Sequence, residues 1–149
     1  MRPGSRQVMV KITGGAKGLK PLMAHVRYIS RQGKDEAGGR GQTLDVIDER
    51  GDRHQGAAAI RQLVEDWRVS GSYIPEESTR KAAFHIIFSM PQGTRAEALQ
   101  EAVTATAAQL YEGHRYAMVM HLNQGAPHVH VVVRAERRDG RRLNPRKAD

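Results

Sequence analysis

The sequence predicts an α+β fold, a two-layer sandwich of helices on a largely antiparallel sheet, and three observations predict it. Runs of period-two hydrophobic alternation are interleaved with runs of helical period. The last two alternating runs, Tyr116 to His121 and His128 to Ala135, are joined by a loop short enough to close a hairpin, which makes their pairing antiparallel. The chain has 149 residues, enough for one domain with its own core.

Gln7 to Thr13 reads as the first strand, with Val8, Val10 and Ile12 on one face. The run Gly14-Gly15-Ala16-Lys17-Gly18 is expected to end it as a turn, and it lacks the glycine, lysine and hydroxyl spacing of a phosphate loop. Pro21 to Arg31 predicts a helix, with the proline in the first turn and Leu22, Val26 and Ile29 as the apolar stripe. Gly33 to Gly41 reads as a loop, Thr43 to Asp48 as a short strand and Glu49 to Asp52 as a turn. Ala57 to Val69 predicts a helix that turns Ile60, Leu63, Val64 and Trp67 inward. Ser70 to Lys81 is a polar connection in which Glu76 and Glu77 read as a solvated helix start. Ala82 to Met90 predicts a strong strand, with Phe84, Ile86 and Phe88 on one face and His85, Ile87 and Ser89 on the other. After Pro91, Thr94 and Glu97 have capping-box spacing for a helix to about Leu110, with Ala98, Val103, Ala107 and Leu110 as its packing face. Helices on one face of such a sheet leave the other open to a polymer ligand.

The formal charge is +8, from 24 Lys and Arg against 16 Asp and Glu. An excess of this kind suits a polyanion, nucleic acid before a membrane surface. It is concentrated late in the chain, where Arg134, Arg137, Arg138, Arg141, Arg142, Arg146 and Lys147 face only Glu136 and Asp139. Cys 0 excludes disulfides, thiolate catalysis and a cysteine zinc site. No apolar run approaches transmembrane length and the start lacks a signal-type apolar segment, so no membrane insertion and a cytoplasmic location are expected. The chain is expected to be a single catalytic domain over residues 1–149, the N-terminal part of a longer protein.

The chemistry is concentrated in the hairpin. His128 and His130 are two apart on a strand, so they share a face about 6–7 Å apart. The hairpin brings His121 opposite them, and three imidazoles can converge on one cation. Half-buried, hydrogen-bonded histidines are the alternative. Three neutral ligands leave coordination positions for phosphate oxygens or water. Among nucleophiles, Tyr28 stands with Arg27, Arg31 and Lys34, and a phenol beside cations loses its proton more easily. Tyr73, in a loop, is its rival; Tyr111 and Tyr116 read as structural. His85 reads either as a core histidine with a partner, or as a group that supports a metal ligand or contacts a phosphate.

Two blocks, the histidine segment through Val133 and Tyr28-Ile29-Ser30-Arg31-Gln32-Gly33-Lys34, are the most specific features of the chain. Ser89-Met90-Pro91-Gln92-Gly93-Thr94 and Arg141 to Asp149 support them. In this order they resemble the relaxases, or mobilisation nucleases, of conjugative plasmids and integrative elements, and within them the subgroup that includes the T-DNA nickase. The resemblance implies the histidine–hydrophobe–histidine (HUH) endonuclease fold, a ferredoxin-like antiparallel sheet flanked by helices. It implies metal-dependent nicking of one DNA strand at a transfer origin, with Tyr28 joined to the 5′ phosphate, a free 3′ hydroxyl and later rejoining. It implies His121, His128 and His130 as ligands of one Mg²⁺ or Mn²⁺ ion. Its implied partners are single-stranded DNA, accessory relaxosome proteins and the coupling protein of a type IV secretion system, through which the covalently led strand is exported. On the DNA side the candidates are Arg27, Arg31, Lys34, His85, Arg134, Arg141 and Arg142. Asn123 stands where many relatives carry an acid, and Arg134 where other subgroups carry asparagine. Three other readings compete: a non-catalytic DNA-binding module, a rolling-circle replication initiator, in which the tyrosine normally follows the histidines, and a metallo-hydrolase using water.

Overall fold

The computed structural model describes residues 8–30, 44–121 and 127–143. The elements run β1 (Met9–Ala16), α1 (Leu19–Ile29), β2 (Val46–Asp48), β3 (Arg53–His54), α2 (Ala57–Arg68), β4 (Ala83–Ser89), α3 (Ala96–Leu110), β5 (His114–His121) and β6 (His128–Arg137). All strands join one sheet in the order β1-β4-β6-β5-β2-β3, and every pairing is antiparallel. The expected α+β class, antiparallel sheet and flanking helices are thus observed.

Alternation along the strands divides the core in two. On one face Ala83, Ala117, Val119 and Val132 pack under Leu22, Val26 and Ile29 of α1 and Ile60, Leu63, Val64 and Trp67 of α2. On the other, Ile86, Phe88, Met118, Val129, Val131 and Val133 pack against Leu99, Val103 and Ala107 of α3. The expected open sheet face is therefore corrected, because α3 covers the side that α1 and α2 leave. Its buried stripe is Leu99, Val103 and Ala107, while Leu110 is exposed. The N-cap is Arg95, one residue later than expected and without a side-chain cap, and the Thr94 hydroxyl donates to the Pro91 carbonyl.

Two further differences bear on the site. The glycines after Thr13 do not end β1, which continues through Gly14 and Gly15 across a bulge to Ala16. A Cβ on Gly15 would stand 2.7 Å from the Ala83 carbonyl oxygen, so the missing side chain is what lets β1 close on β4. The connection after α2 is not a helix start. Its Pro75 and Glu76 carbonyls accept from the Leu19 and Lys20 N–H groups and cap α1, which therefore begins two residues before Pro21. Gly18 at φ 118° permits that approach. The turn at 49–52 is present and leads into β3, held by the buried Asp48 carboxylate, which accepts from the Arg50 and Asp52 N–H groups and from His54.

Candidate metal centre

The cross-strand register assembles the centre. His121 of β5 pairs with His128 of β6, which pairs with Ser89 of β4, which pairs with Met9 of β1. On the neighbouring rung Val119, His130, Ile87 and Lys11 are aligned. Residues directly opposite in a sheet share a face, so His121, His128 and His130 project together on the side of α1 and α2. Their ring centroids are 4.3–5.3 Å apart. One nitrogen from each lies within 4.8 Å of the other two, with His121 buried and the others half-buried.

These residues fit a divalent cation. Three imidazoles at ordinary metal–nitrogen distances need nitrogens about 3.3 Å apart, which small side-chain rotations supply. The His121 Nε2–H donates to the Ile29 carbonyl at 2.6 Å. That bond fixes the tautomer with the lone pair on Nδ1, the usual way a ligating histidine is oriented. It also ties the C-terminal end of α1 to the site. The buried Ser30 hydroxyl bonds back to the Val26 and Arg27 carbonyls, so the last turn is held on both sides. The negative end of a helix dipole beside the three rings favours a cation.

Tyr28 occupies that last turn. It is 77% exposed, and the next residue touches His121. Arg27 beside it is exposed. Arg31, Lys34 and Asn123 lie outside the described residues. The other tyrosines are elsewhere. Tyr111 and Tyr116 are buried edge to face in the α3 core, and burial pushes the Tyr111 phenol up to about 12. Tyr73 borders the loop that contacts Arg134, six residues beyond His128 and so about 20 Å along β6 from it.

Of the residues expected to meet DNA, Arg134 is buried and His85 has a ring partner. Arg134 is 2% exposed, and its guanidinium donates to the Trp67 and Ser72 carbonyls and to Glu136. It holds α2 and the following loop onto β6 rather than meeting a phosphate at the surface. His85 stacks on His25 of α1 at 3.4 Å between ring centroids. That is the core-histidine reading, with a partner the sequence reading did not identify, although His25 stands one helical turn before Tyr28. Burial first, then His25 and Lys81, bring the His85 pKa down to about 4; burial lowers that of His25 as well. Arg141 and Arg142 are exposed near the end of β6, away from the triad. On β1, Met9 and Lys11 are exposed on the histidine face beside Ser89 and Ile87, a strip of uncovered sheet that the sequence reading assigned to no role. No helix among the described residues is long and apolar enough to cross a membrane.

Residues 28–149 match the family described as "Relaxase: MobA/VirD2-like, nuclease domain". The T-DNA border endonuclease VirD2 of Rhizobium radiobacter is 32% identical over 144 residues, which cover 88% of this chain and 32% of that protein. The protein of the same name from Agrobacterium fabrum is 30% identical, with 88% and 31% covered. This chain thus spans about a third of the length of these relatives. A solved structure from work on vancomycin resistance transfer in Staphylococcus aureus aligns with a TM-score of 0.48 at 14% identity, covering 97% of this chain and 78% of that one. The match over nearly all of the chain establishes the family: the chain belongs to the MobA/VirD2-like relaxase nuclease domains.

Proposed function

We propose that the chain is the nicking domain of a relaxase, cutting one DNA strand at a transfer origin by attack of Tyr28 on a phosphodiester. The observation that carries this reading is the bond between the His121 ring and the Ile29 carbonyl, which couples the helix end bearing Tyr28 to the three histidines. His121, His128 and His130 would hold one divalent cation, Mg²⁺ or Mn²⁺ by family. Such an ion neutralises charge on the phosphate oxygens and makes phosphorus more electrophilic.

The chain's own residues do the rest. The capped end of α1 fixes the backbone from which the exposed phenol reaches out, so the nucleophile starts close to the three histidines. The phenolic oxygen bonds to phosphorus, the bond from phosphorus to the 3′ oxygen breaks, and that oxygen takes a proton as the phenol gives one up to solvent. A phosphotyrosine diester and a 3′ hydroxyl result. The number of ester bonds is unchanged, so the hydroxyl can attack in reverse and rejoin the strand. Arg27 and, outside the described residues, Arg31 and Lys34 supply positive charge beside the phenol. Accessory relaxosome proteins, a coupling protein and export of the linked strand belong to the whole protein and follow from the same reading.

The test is incubation with single-stranded oligonucleotides from the parent element's transfer origin and Mn²⁺, resolved on a denaturing gel. Wild type yields a slow protein–DNA band and a shortened product. Tyr28→Phe yields neither and still binds DNA. An adduct formed by Tyr28→Phe would overturn the assignment of the nucleophile, and shortened product without any adduct would favour a water-using hydrolase.

A further inference from the structure

On the face that carries the histidines, but at the opposite end of β6, the loop after α2 and the start of β4 enclose a cavity of about 190 Å³. Its polar lining includes Ser72, Tyr73, Ser78, Arg80, Arg134 and Arg142. The charge in it is unbalanced. Glu136 pairs with Arg134 at 3.2 Å and also accepts from the Ser72 N–H. Arg80 and Arg142 have no carboxylate partner among the described residues, and Arg142 is fixed by donating to the Lys81 carbonyl at 2.7 Å. Burial first, then Arg80, lower the Arg142 pKa; Glu136 opposes them and Arg134 adds a smaller push in the same direction. The wall is built for close approach. Gly71 stands where a Cβ would collide with the Glu136 carboxylate, so the loop can lie directly on the ion pair. The Tyr73 ring is 62% exposed, with the Arg68 guanidinium over it at 4.5 Å.

We propose that this cavity is a second anchoring site for the DNA strand, taking one backbone phosphate between Arg80 and Arg142 and stacking the adjoining base on Tyr73. That the anion is DNA rests on the nicking function proposed above. The cavity's own features select the chemistry: two guanidinium groups in want of an anion, serine hydroxyls beside them, and an aromatic ring already backed by a cation, as in single-strand binding surfaces. The separation of about 20 Å from His128 corresponds to roughly six stacked nucleotides. The cavity would therefore fix how far from the anchored phosphate the cut falls.

The test reads DNA binding alone, by fluorescence anisotropy with a Tyr28→Phe chain and no metal, across a range of salt. One oligonucleotide spans both sites and one covers the histidine end only. Arg80→Gln with Arg142→Gln is expected to weaken the spanning oligonucleotide about tenfold and to reduce its salt slope by about 0.7, one single-strand phosphate contact's worth. The short oligonucleotide should lose much less. Tyr73→Ala should weaken the spanning oligonucleotide at least about fivefold, and Tyr73→Phe should restore it. Arg61→Gln with Arg95→Gln, two exposed arginines elsewhere, removes the same charge as a control. Equal losses for both oligonucleotides, or for both arginine pairs, would overturn the site; a Tyr73→Phe chain as weak as Tyr73→Ala would overturn the base platform. Because neither phenol nor metal takes part, failure of the nicking assay leaves this result readable, and the reverse holds too.

Discussion

A single buried arginine shows how a residue's charge misleads when its surroundings are unknown. Arg134 lies in a basic stretch and alternates onto the histidine face, so the sequence reading offers it to a phosphate. Its actual partners are the Trp67 and Ser72 carbonyls and the Glu136 carboxylate. Two of them come from a segment more than sixty residues earlier, which no local pattern reveals. Arg134→Met keeps most of the side-chain volume but takes a donor from the Trp67 and Ser72 carbonyls and removes the charge partner of Glu136, whose carboxylate keeps the Ser72 N–H. Breaking a buried pair in this way costs about 3 kcal/mol or more. Urea denaturation is the measurement, and Arg134→Met combined with Glu136→Gln should recover part of the loss. A loss below about 1 kcal/mol would mean the guanidinium does not hold the loop to β6. The three histidines were legible for the opposite reason: strand periodicity and one short loop suffice to bring them together, without any distant segment.

At the scale of elements, periodicity located every helix and long strand, and what it missed was set by tertiary contact. β1 runs on through two glycines because their lack of side chains suits the approach to β4, where local reasoning sees only flexibility. β3 is two residues long and exists through its pairing with β2, below what alternation can register. The contact of α1 with β4 includes the His25–His85 stack, and it makes a pH prediction. Both imidazoles have lowered pKa values, His85 to about 4. The unfolded chain takes up a proton on His85 near the usual 6.5, while the native chain resists until about pH 4. Stability is therefore full above about pH 6.5 and is lost as pH falls from there toward 4. The charged groups nearest the pair are each other and Lys81, and all oppose protonation. Melting temperature followed from pH 8 to 4 should drop steeply in wild type between about pH 6.5 and 4, and more gently in His85→Phe, which keeps an aromatic ring on His25. Parallel curves would show that the stack does not couple folding to protons. Since His25 is one turn from Tyr28, the same protonation would loosen the helix end that carries the phenol.

Across the whole molecule, the sheet keeps two clusters apart along one strand: three imidazoles at the beginning of β6 and guanidinium groups near its end. The chain's formal charge is +8, and of the two clusters only the imidazoles can discriminate among cations. A ligand that binds the native chain alone raises its stability by about 2.7 kcal/mol at a hundred times its dissociation constant. For a chain of this size that is a rise in melting temperature of roughly 5–10 °C. Mn²⁺ should produce such a rise at lower concentration than Mg²⁺, because imidazole ligands suit the transition metal while magnesium prefers an oxygen shell. A chelator should reverse it. His128→Ala and His130→Ala should each abolish most of the shift while leaving the metal-free melting temperature within a few degrees, since both rings are only half-buried. His121→Ala should also lower the metal-free value, because it deletes the bond to the Ile29 carbonyl. Equal shifts from Mg²⁺ and Mn²⁺, surviving the loss of His128, would place the ion elsewhere on the chain. A shift confined to Mn²⁺, with nicking supported by Mg²⁺ as well, would mean that DNA phosphate oxygens complete the shell of the harder ion, so that the three imidazoles bind it only together with substrate.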